Sequence, residues 1–180
     1  MRVIAGELRS RKLLAPPGET TRPTPDRLRE ALFSVLQPYL DGVVFYDLYA
    51  GSGAVGIEAI SRGAARAVFV EADRSALAAL KGNLAALGIL DRGLIVSKKV
   101  IPAVKTGLRG IVFADPPYGE RSEYEKLAHA LAENLEEVEL LLIQHDRRLE
   151  MPATIGAFER QRELRQGDNV ITFYGLGEAG

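Results

Sequence analysis

The chain contains no cysteine and no tryptophan, and only two histidines, His129 and His145, among its 180 residues. Without thiols there is no disulfide, no thiolate metal site and no cysteine nucleophile. Two isolated histidines do not assemble a metal site, so no metal is expected. Apolar runs are short, as at Leu140–Ile143, and fall far below the ~20 residues needed to span a bilayer. Met1-Arg2-Val3-Ile4 passes at once into polar residues, with no signal-peptide core. These absences lead us to expect a cytoplasmic protein with no membrane attachment. A strong overall charge is also missing: 23 basic residues face 24 acidic ones. That balance hides an asymmetry. Residues 1–30 carry seven basic groups against four acids, whereas the other 150 carry sixteen against twenty. A basic arm on an acidic body suits a polyanionic partner, although a solvated surface would look the same.

Periodicity divides the chain unevenly. Val3–Ala5 and Lys12–Ala15 read as two short strands, and Pro16-Pro17-Gly18 breaks the chain after them. Thr24-Pro25 reads as a helix start, with the hydroxyl as N-cap and apolar Leu28, Ala31, Leu32, Val35 and Leu36 on one face. From Val43 the pattern becomes βα alternation: strands over 43–48, 67–71, 94–97, 110–114 and 139–144, and helices over 54–62, 74–87 and 123–135. Segments 157–164 and 169–176 read as a hairpin around Arg165-Gln166-Gly167-Asp168, with Phe173 and Tyr174 as one core and one surface residue. The expected fold is α/β, a doubly wound and mostly parallel sheet with an antiparallel C-terminal hairpin. We divide it into an N-terminal extension, 1–40, packed on a body, 41–180.

Within the body, Asp47–Gly56 reads DLYAGSGAVG and contains the G-x-G-x-x-G pattern, with Glu71 twenty residues after Gly51. A strand ending in glycines and feeding a helix turns free N–H groups toward a ligand. Gly51 and Gly53 permit close approach, Gly56 permits helix and strand to pack, and Glu71 can accept from ribose hydroxyls. The loop alone suits either a nicotinamide dinucleotide or S-adenosylmethionine. Asp47 tilts the balance, because a carboxylate just before the loop repels a pyrophosphate and attracts an ammonium or sulfonium.

The stretch Ile111–Ala114 followed by Asp115-Pro116-Pro117-Tyr118 carries the decision. Neither proline has an N–H, so the segment offers acceptors without competing donors. The Asp115 carboxylate and a nearby carbonyl, such as that of Pro116, can take the hydrogens of an exocyclic amino group and free its lone pair for a methyl group held in line. Tyr118 offers a ring for a base to stack on. His145 reads as a strand-end residue and Lys98-Lys99 as a solvated pair.

With both stretches in view, the chain resembles a class I S-adenosylmethionine-dependent methyltransferase. More narrowly it resembles the RsmD family, which methylates a guanine N2 of 16S ribosomal RNA. The resemblance runs from RVIAGELRSRKL through TRPTPDRLREALFSVL, DLYAGSGAVGIEAISRGA, VFVEAD and Asn83-Leu84 to DPPY. It implies a seven-stranded Rossmann-like sheet with a small N-terminal β-hairpin and helix. It also implies that S-adenosylmethionine is the cofactor, held by Asp47, Tyr49, Ala50, Gly51, Ser52, Gly53, Glu71, Ala72 and Ser97. Asp115, Pro116, Pro117 and Tyr118 would then hold the guanine. Val96-Ser97-Lys98 replaces the acid often found near the adenine, and Tyr49 replaces a common phenylalanine, a change expected to be harmless.

The implied partner is 16S ribosomal RNA, naked or in an assembling subunit, met by a monomer through Arg2, Arg9, Arg11, Lys12, Arg22, Thr24 and Arg27. Leu28 and Leu32 are expected core, so Arg27 and Arg29 should point in different directions. An adenine-N6 or protein-amide methyltransferase would share the catalytic geometry. A nicotinamide oxidoreductase would leave the DPPY stretch without a task. The missing cysteines also exclude carbon-5 methylation of cytosine through a thiolate adduct.

Overall fold

A computed structural model describes residues 1–18 and 24–177. Five parallel strands form the centre: β1 (Val44–Leu48), β2 (Arg66–Val70), β3 (Gly93–Val96), β4 (Arg109–Ala114) and β5 (Glu137–Asp146). Beyond β5 the sheet turns antiparallel through β8 (Asn169–Leu176), β7 (Phe158–Gln166) and the two-residue β6 (Thr154–Ile155). The order is β3-β2-β1-β4-β5-β8-β7-β6. The sheet is therefore eight-stranded among the described residues, one more than the expected seven, because β6 adds a short edge to the expected hairpin. Chain order reverses between β1 and β4, the position at which open α/β sheets bind ligands beyond their strand C-termini.

Helices cover both faces, so the central strands are apolar on both sides. On one face α1 (Asp26–Leu36), α2 (Ala54–Ser61) and α3 (Arg74–Leu87) bury Leu32, Phe33, Ile57, Leu80 and Leu84 with Phe45, Phe69, Phe113 and Phe173. On the other, α4 (Val100–Val104) and α5 (Arg121–Ala132) bury Val104, Leu127 and Leu131 with Leu48, Val112, Ile143 and Tyr174. Phe173 and Tyr174 thus alternate as expected, yet both are core, because neither face of β8 is left open. The short α4 escapes sequence reading; five residues are too few to display a helical period. α3 forms as its sequence dictates: Asp73 caps it by accepting from the Ala76 N–H at 2.9 Å, and Gly88 ends it in the left-handed region at φ +70°.

The N-terminus differs from expectation in two ways. Instead of two strands, residues 1–13 form a compact loop with one antiparallel bridge, Arg2 to Lys12. Val3 donates to the Arg11 carbonyl and Leu13 to the Met1 carbonyl around that bridge, and further backbone groups bond to side chains of the body. The buried Glu58 carboxylate on α2 accepts the N–H groups of Ile4 and Ala5, at 2.9 and 3.0 Å. Ser61 accepts from the Leu8 N–H at 3.0 Å and donates to the Ala5 carbonyl at 2.5 Å. Thr24 is not a side-chain N-cap. α1 begins at Asp26, and the Thr24 hydroxyl donates to Gln144 Oε1 at 2.9 Å.

Candidate active site

β1 delivers the glycine loop. Asp47 is buried near the strand's end, and its carboxylate accepts the Gly56 N–H at 2.9 Å, tying the strand to the first turn of α2. Gly53 opens α2 at φ +86°, and an added Cβ there would run into Leu80. A Cβ on Gly56 would overlap the Phe69 ring of β2, so close helix–strand packing requires glycine at that position. Glu71, just past β2, accepts from the Gly51 N–H at 2.8 Å through Oε2 and from the Ala72 and Asp73 N–H groups, each at 2.8 Å, through Oε1. A carboxylate has about four acceptor directions. Three are taken, which leaves one acceptor direction on Oε2. Ala50 and Ser52 are buried in the same loop. Ser97 is exposed one residue beyond β3, and Val70 pairs with Val96, so Ser97 lies at the same end of the sheet as Glu71.

β4 delivers the second loop. Leu48 pairs with Ala114, and the Asp115 N–H reaches the Leu48 carbonyl at 3.3 Å, so the DPPY segment starts beside the glycine loop. Burial lifts the Asp115 carboxyl to about 7. Burial also raises Asp47, opposed by its bond to Gly56 and reinforced by the negative charges of Asp115 and Glu71. Three acidic groups thus converge on the β1/β4 crevice, where a cation would favour their ionised forms and a pyrophosphate would oppose them. Among the described residues no group of three or more His, Cys, Asp or Glu side chains is arranged to hold a metal ion.

Side chains distant in sequence support both loops. Tyr49 adopts φ +62°, rare for a residue with a Cβ, and its hydroxyl donates to Glu123 Oε1 on α5 at 2.6 Å. Desolvation and that carboxylate raise its pKa, so the hydroxyl stays a donor. The tyrosine that stands where phenylalanine is common thus joins the glycine loop to the helix after DPPY. Buried Tyr124 donates to the Gln144 carbonyl at 3.0 Å, with the Pro116 carbonyl at 3.5 Å. Tyr118 is 67% exposed; its hydroxyl donates to Asp146 at 2.8 Å and accepts from Arg148 at 2.8 Å. Glu123, Tyr124, Gln144, Asp146 and Arg148 carry no sequence signal, because only the fold brings them near residues 49, 116 and 118.

The expected RNA-facing residues separate. Arg2, Arg9, Arg11, Lys12 and Arg27 are exposed. Arg2 spends one N–H on the Ser10 carbonyl and Arg11 one on the Ala86 carbonyl, each at 2.7 Å. Arg22 lies outside the described residues. Thr24 is buried, and its hydroxyl donates to Gln144, one residue beyond the Ala114–Ile143 pair, so it stands apart from the exposed arginines. Arg27 and Arg29 do diverge, Arg29 being fully buried and bonded to the Arg2 carbonyl at 2.6 Å. His145 is a buried strand residue. Nδ1–H donates to the Asp146 carbonyl at 2.9 Å, so Nε2 accepts the Thr172 hydroxyl at 2.7 Å, and burial lowers its pKa.

The sheet order, the crevice at its switch point and the two loops define a Rossmann-like methyltransferase fold. Residues 1–175 match the family described as conserved hypothetical protein 95. YlbH of Bacillus subtilis is 37% identical over 185 residues, covering 97% of this chain and 98% of that protein. Ribosomal RNA small subunit methyltransferase D of Escherichia coli K12 is 34% identical over 177 residues, covering 97% and 89%. The solved structure of yhhF from Escherichia coli superposes with a TM-score of 0.84 at 32% identity, covering 98% of this chain and 97% of that one. The chain belongs to the RsmD family.

Proposed function

We propose that this chain transfers a methyl group from S-adenosylmethionine to the exocyclic N2 of a guanine in 16S ribosomal RNA, in the cytoplasm and as a monomer. The observation that carries the reading is the placement of Asp115 beside the glycine loop, in a segment whose two prolines donate no hydrogen bonds. Family membership and the relative named as a ribosomal RNA small subunit methyltransferase support the ribosomal RNA class of substrate. Guanine N2 rests on the resemblance stated above.

The residues fit the cofactor. Gly53 and Gly56 keep the loop close to the sheet, Glu71 retains an acceptor for ribose, and the carboxylate field around Asp47 suits a positive charge. When bound, S-adenosylmethionine supplies an electrophilic methyl group on a sulfonium. The protein's part is orientation. Asp115 and the Pro116 carbonyl accept the two N2 hydrogens and direct the nitrogen lone pair at the methyl carbon. The methylated N2 would carry one hydrogen too many and release it as a proton to solvent, while Asp115 and the Pro116 carbonyl keep hold of the nitrogen. Orientation of this kind is worth up to about 7–11 kcal/mol. Tyr118 supports the flipped base on its exposed ring. Residues 1–40 form the RNA-facing extension, where Arg2, Arg9, Arg11, Lys12, Arg22 and Arg27 meet phosphate, and 41–180 form the catalytic unit.

The test is transfer of labelled methyl to undermethylated 16S ribosomal RNA, naked and as small subunits, with nucleosides identified after digestion. N2-methylguanosine made by wild type and lost in Asp115→Ala is expected. Label in N6-methyladenosine or in protein would replace the guanine assignment.

A further inference from the structure

Asn83, on α3, is 2% exposed and nearly saturated with hydrogen bonds. Its Oδ1 accepts the Leu14 N–H at 2.7 Å, and its Nδ2 donates to the Leu14 carbonyl at 3.0 Å and to the Ser52 carbonyl at 2.9 Å. Leu14 belongs to the N-terminal arm and Ser52 to the glycine loop, so one side chain holds the main chain of both. The other arm contacts described above, Glu58 and Ser61, lie on α2, and their side-chain bonds reach the arm and, for Glu58, Arg62, but not the glycine loop. The Leu14 side chain is 62% exposed, so the arm is fixed there by its backbone rather than by burial of an apolar group. The chemistry requires an amide of this length. Aspartate would lose both donors and set a carboxylate against two carbonyls, and alanine would leave all three main-chain groups without their partner.

We propose that Asn83 is a positioning residue that couples the two binding sites, so that RNA on the arm and cofactor in the loop tighten each other's binding. This rests on the function proposed above. Fixing the arm backbone with RNA fixes Leu14, which holds the Asn83 amide in the orientation that fixes the Ser52 carbonyl. A cofactor arriving second meets a loop already ordered, and the ordering cost is met once. The coupling is reciprocal by thermodynamic necessity.

The test uses the full chain, S-adenosylhomocysteine as a non-reacting probe and undermethylated 16S ribosomal RNA, with calorimetric titration of the probe in the presence and absence of RNA. Wild type is expected to bind the probe about fivefold tighter, or more, with RNA present. Asn83→Asp and Asn83→Ala are expected to bind each ligand alone while the ratio falls to about one. Leu84→Ala, a core truncation on the same helix that touches neither partner group, is the control for a merely structural role: it lowers the melting temperature and keeps the ratio. Hydrogen exchange on wild type provides a check independent of any variant, since RNA alone should slow exchange of the amides at 51–53. Wild type binding both ligands with no change in affinity overturns the coupling. A chain that binds no probe, or no RNA, overturns the proposed function and the coupling with it.

Discussion

The two loops that meet at the β1/β4 crevice are held in opposite ways. The glycine loop is gripped through its backbone by side chains from three neighbouring elements: Asp47 holds the Gly56 N–H, Glu71 the Gly51 N–H and Asn83 the Ser52 carbonyl. Two of those three side chains, Asp47 and Asn83, are buried. The DPPY loop has two prolines that offer no N–H to grip. It is held at its root by the Asp115 N–H on the Leu48 carbonyl and at its tip by Tyr118 on the half-buried Asp146 and the exposed Arg148. A cofactor of fixed shape suits a loop built into the core. A base that must be drawn out of folded RNA suits a rigid root with an open, adjustable tip.

The sharpest break in that comparison is at the root of the second loop. Asp115→Ala should lower methyl transfer by about 10²–10⁴-fold, the range for removing one positioned proton-handling group, with S-adenosylhomocysteine binding changed little. Parallel loss of activity and cofactor binding would mean that the loops form a single unit. Next comes the first loop. Gly56→Val drives a branched side chain into Phe69 and should cost about 1–3 kcal/mol of stability, read by denaturant unfolding, with cofactor affinity falling as α2 shifts.

The same contrast explains what could be read from the sequence. α3 was legible with its observed bounds, 74–87, because its signals, an alanine- and leucine-rich run stopped by Gly88, are local; the Asp73 cap was found only in the structure. The glycine loop and DPPY were legible because their residue types are dictated by backbone geometry, a left-handed Gly53 and a donor-free Pro-Pro. What was not legible depends on partners far along the chain. Thr24 satisfies the local rule for a cap, yet its hydroxyl finds Gln144, 120 residues away, because the fold brings β5 to it. Val3–Ala5 reads as a strand, but only Val3 pairs across the arm, with the Arg11 carbonyl, because Glu58 takes the N–H groups of Ile4 and Ala5. One of Phe173 and Tyr174 was expected at the surface, because cover on both faces of β8 cannot be seen from β8 alone.

A gentler probe uses pH. Asp115 is the stronger acceptor when ionised, since protonation turns one of its oxygens into a donor, and burial has lifted its carboxyl to about 7. We expect kcat/KM to rise about tenfold per unit below pH 7 and to flatten above it. Stability should run the other way. For an acid whose folded value is raised, the stabilising contribution is complete below the unfolded value near 3.8 and is lost as pH climbs through about 7. Asp115→Asn should therefore melt higher than wild type at pH 8 and lose that advantage at pH 4. A flat activity profile between pH 5 and 8 would remove Asp115 from the role of acceptor.

The smallest effect should come from the one bond that joins the two loops through α5. Tyr49→Phe removes the hydroxyl that donates to Glu123 and keeps the ring, so packing is preserved while a left-handed backbone loses its anchor. A hydrogen bond to a half-buried carboxylate is worth about 1 kcal/mol net, and the melting temperature of a chain this size should fall by about 2–4 °C. Cofactor affinity should weaken a few-fold at most, because Asp47, Glu71 and Asn83 still grip the loop. Were the variant instead to lose cofactor binding altogether, the glycine loop would owe its shape to α5, and the division between a core-built loop and an adjustable one would fail.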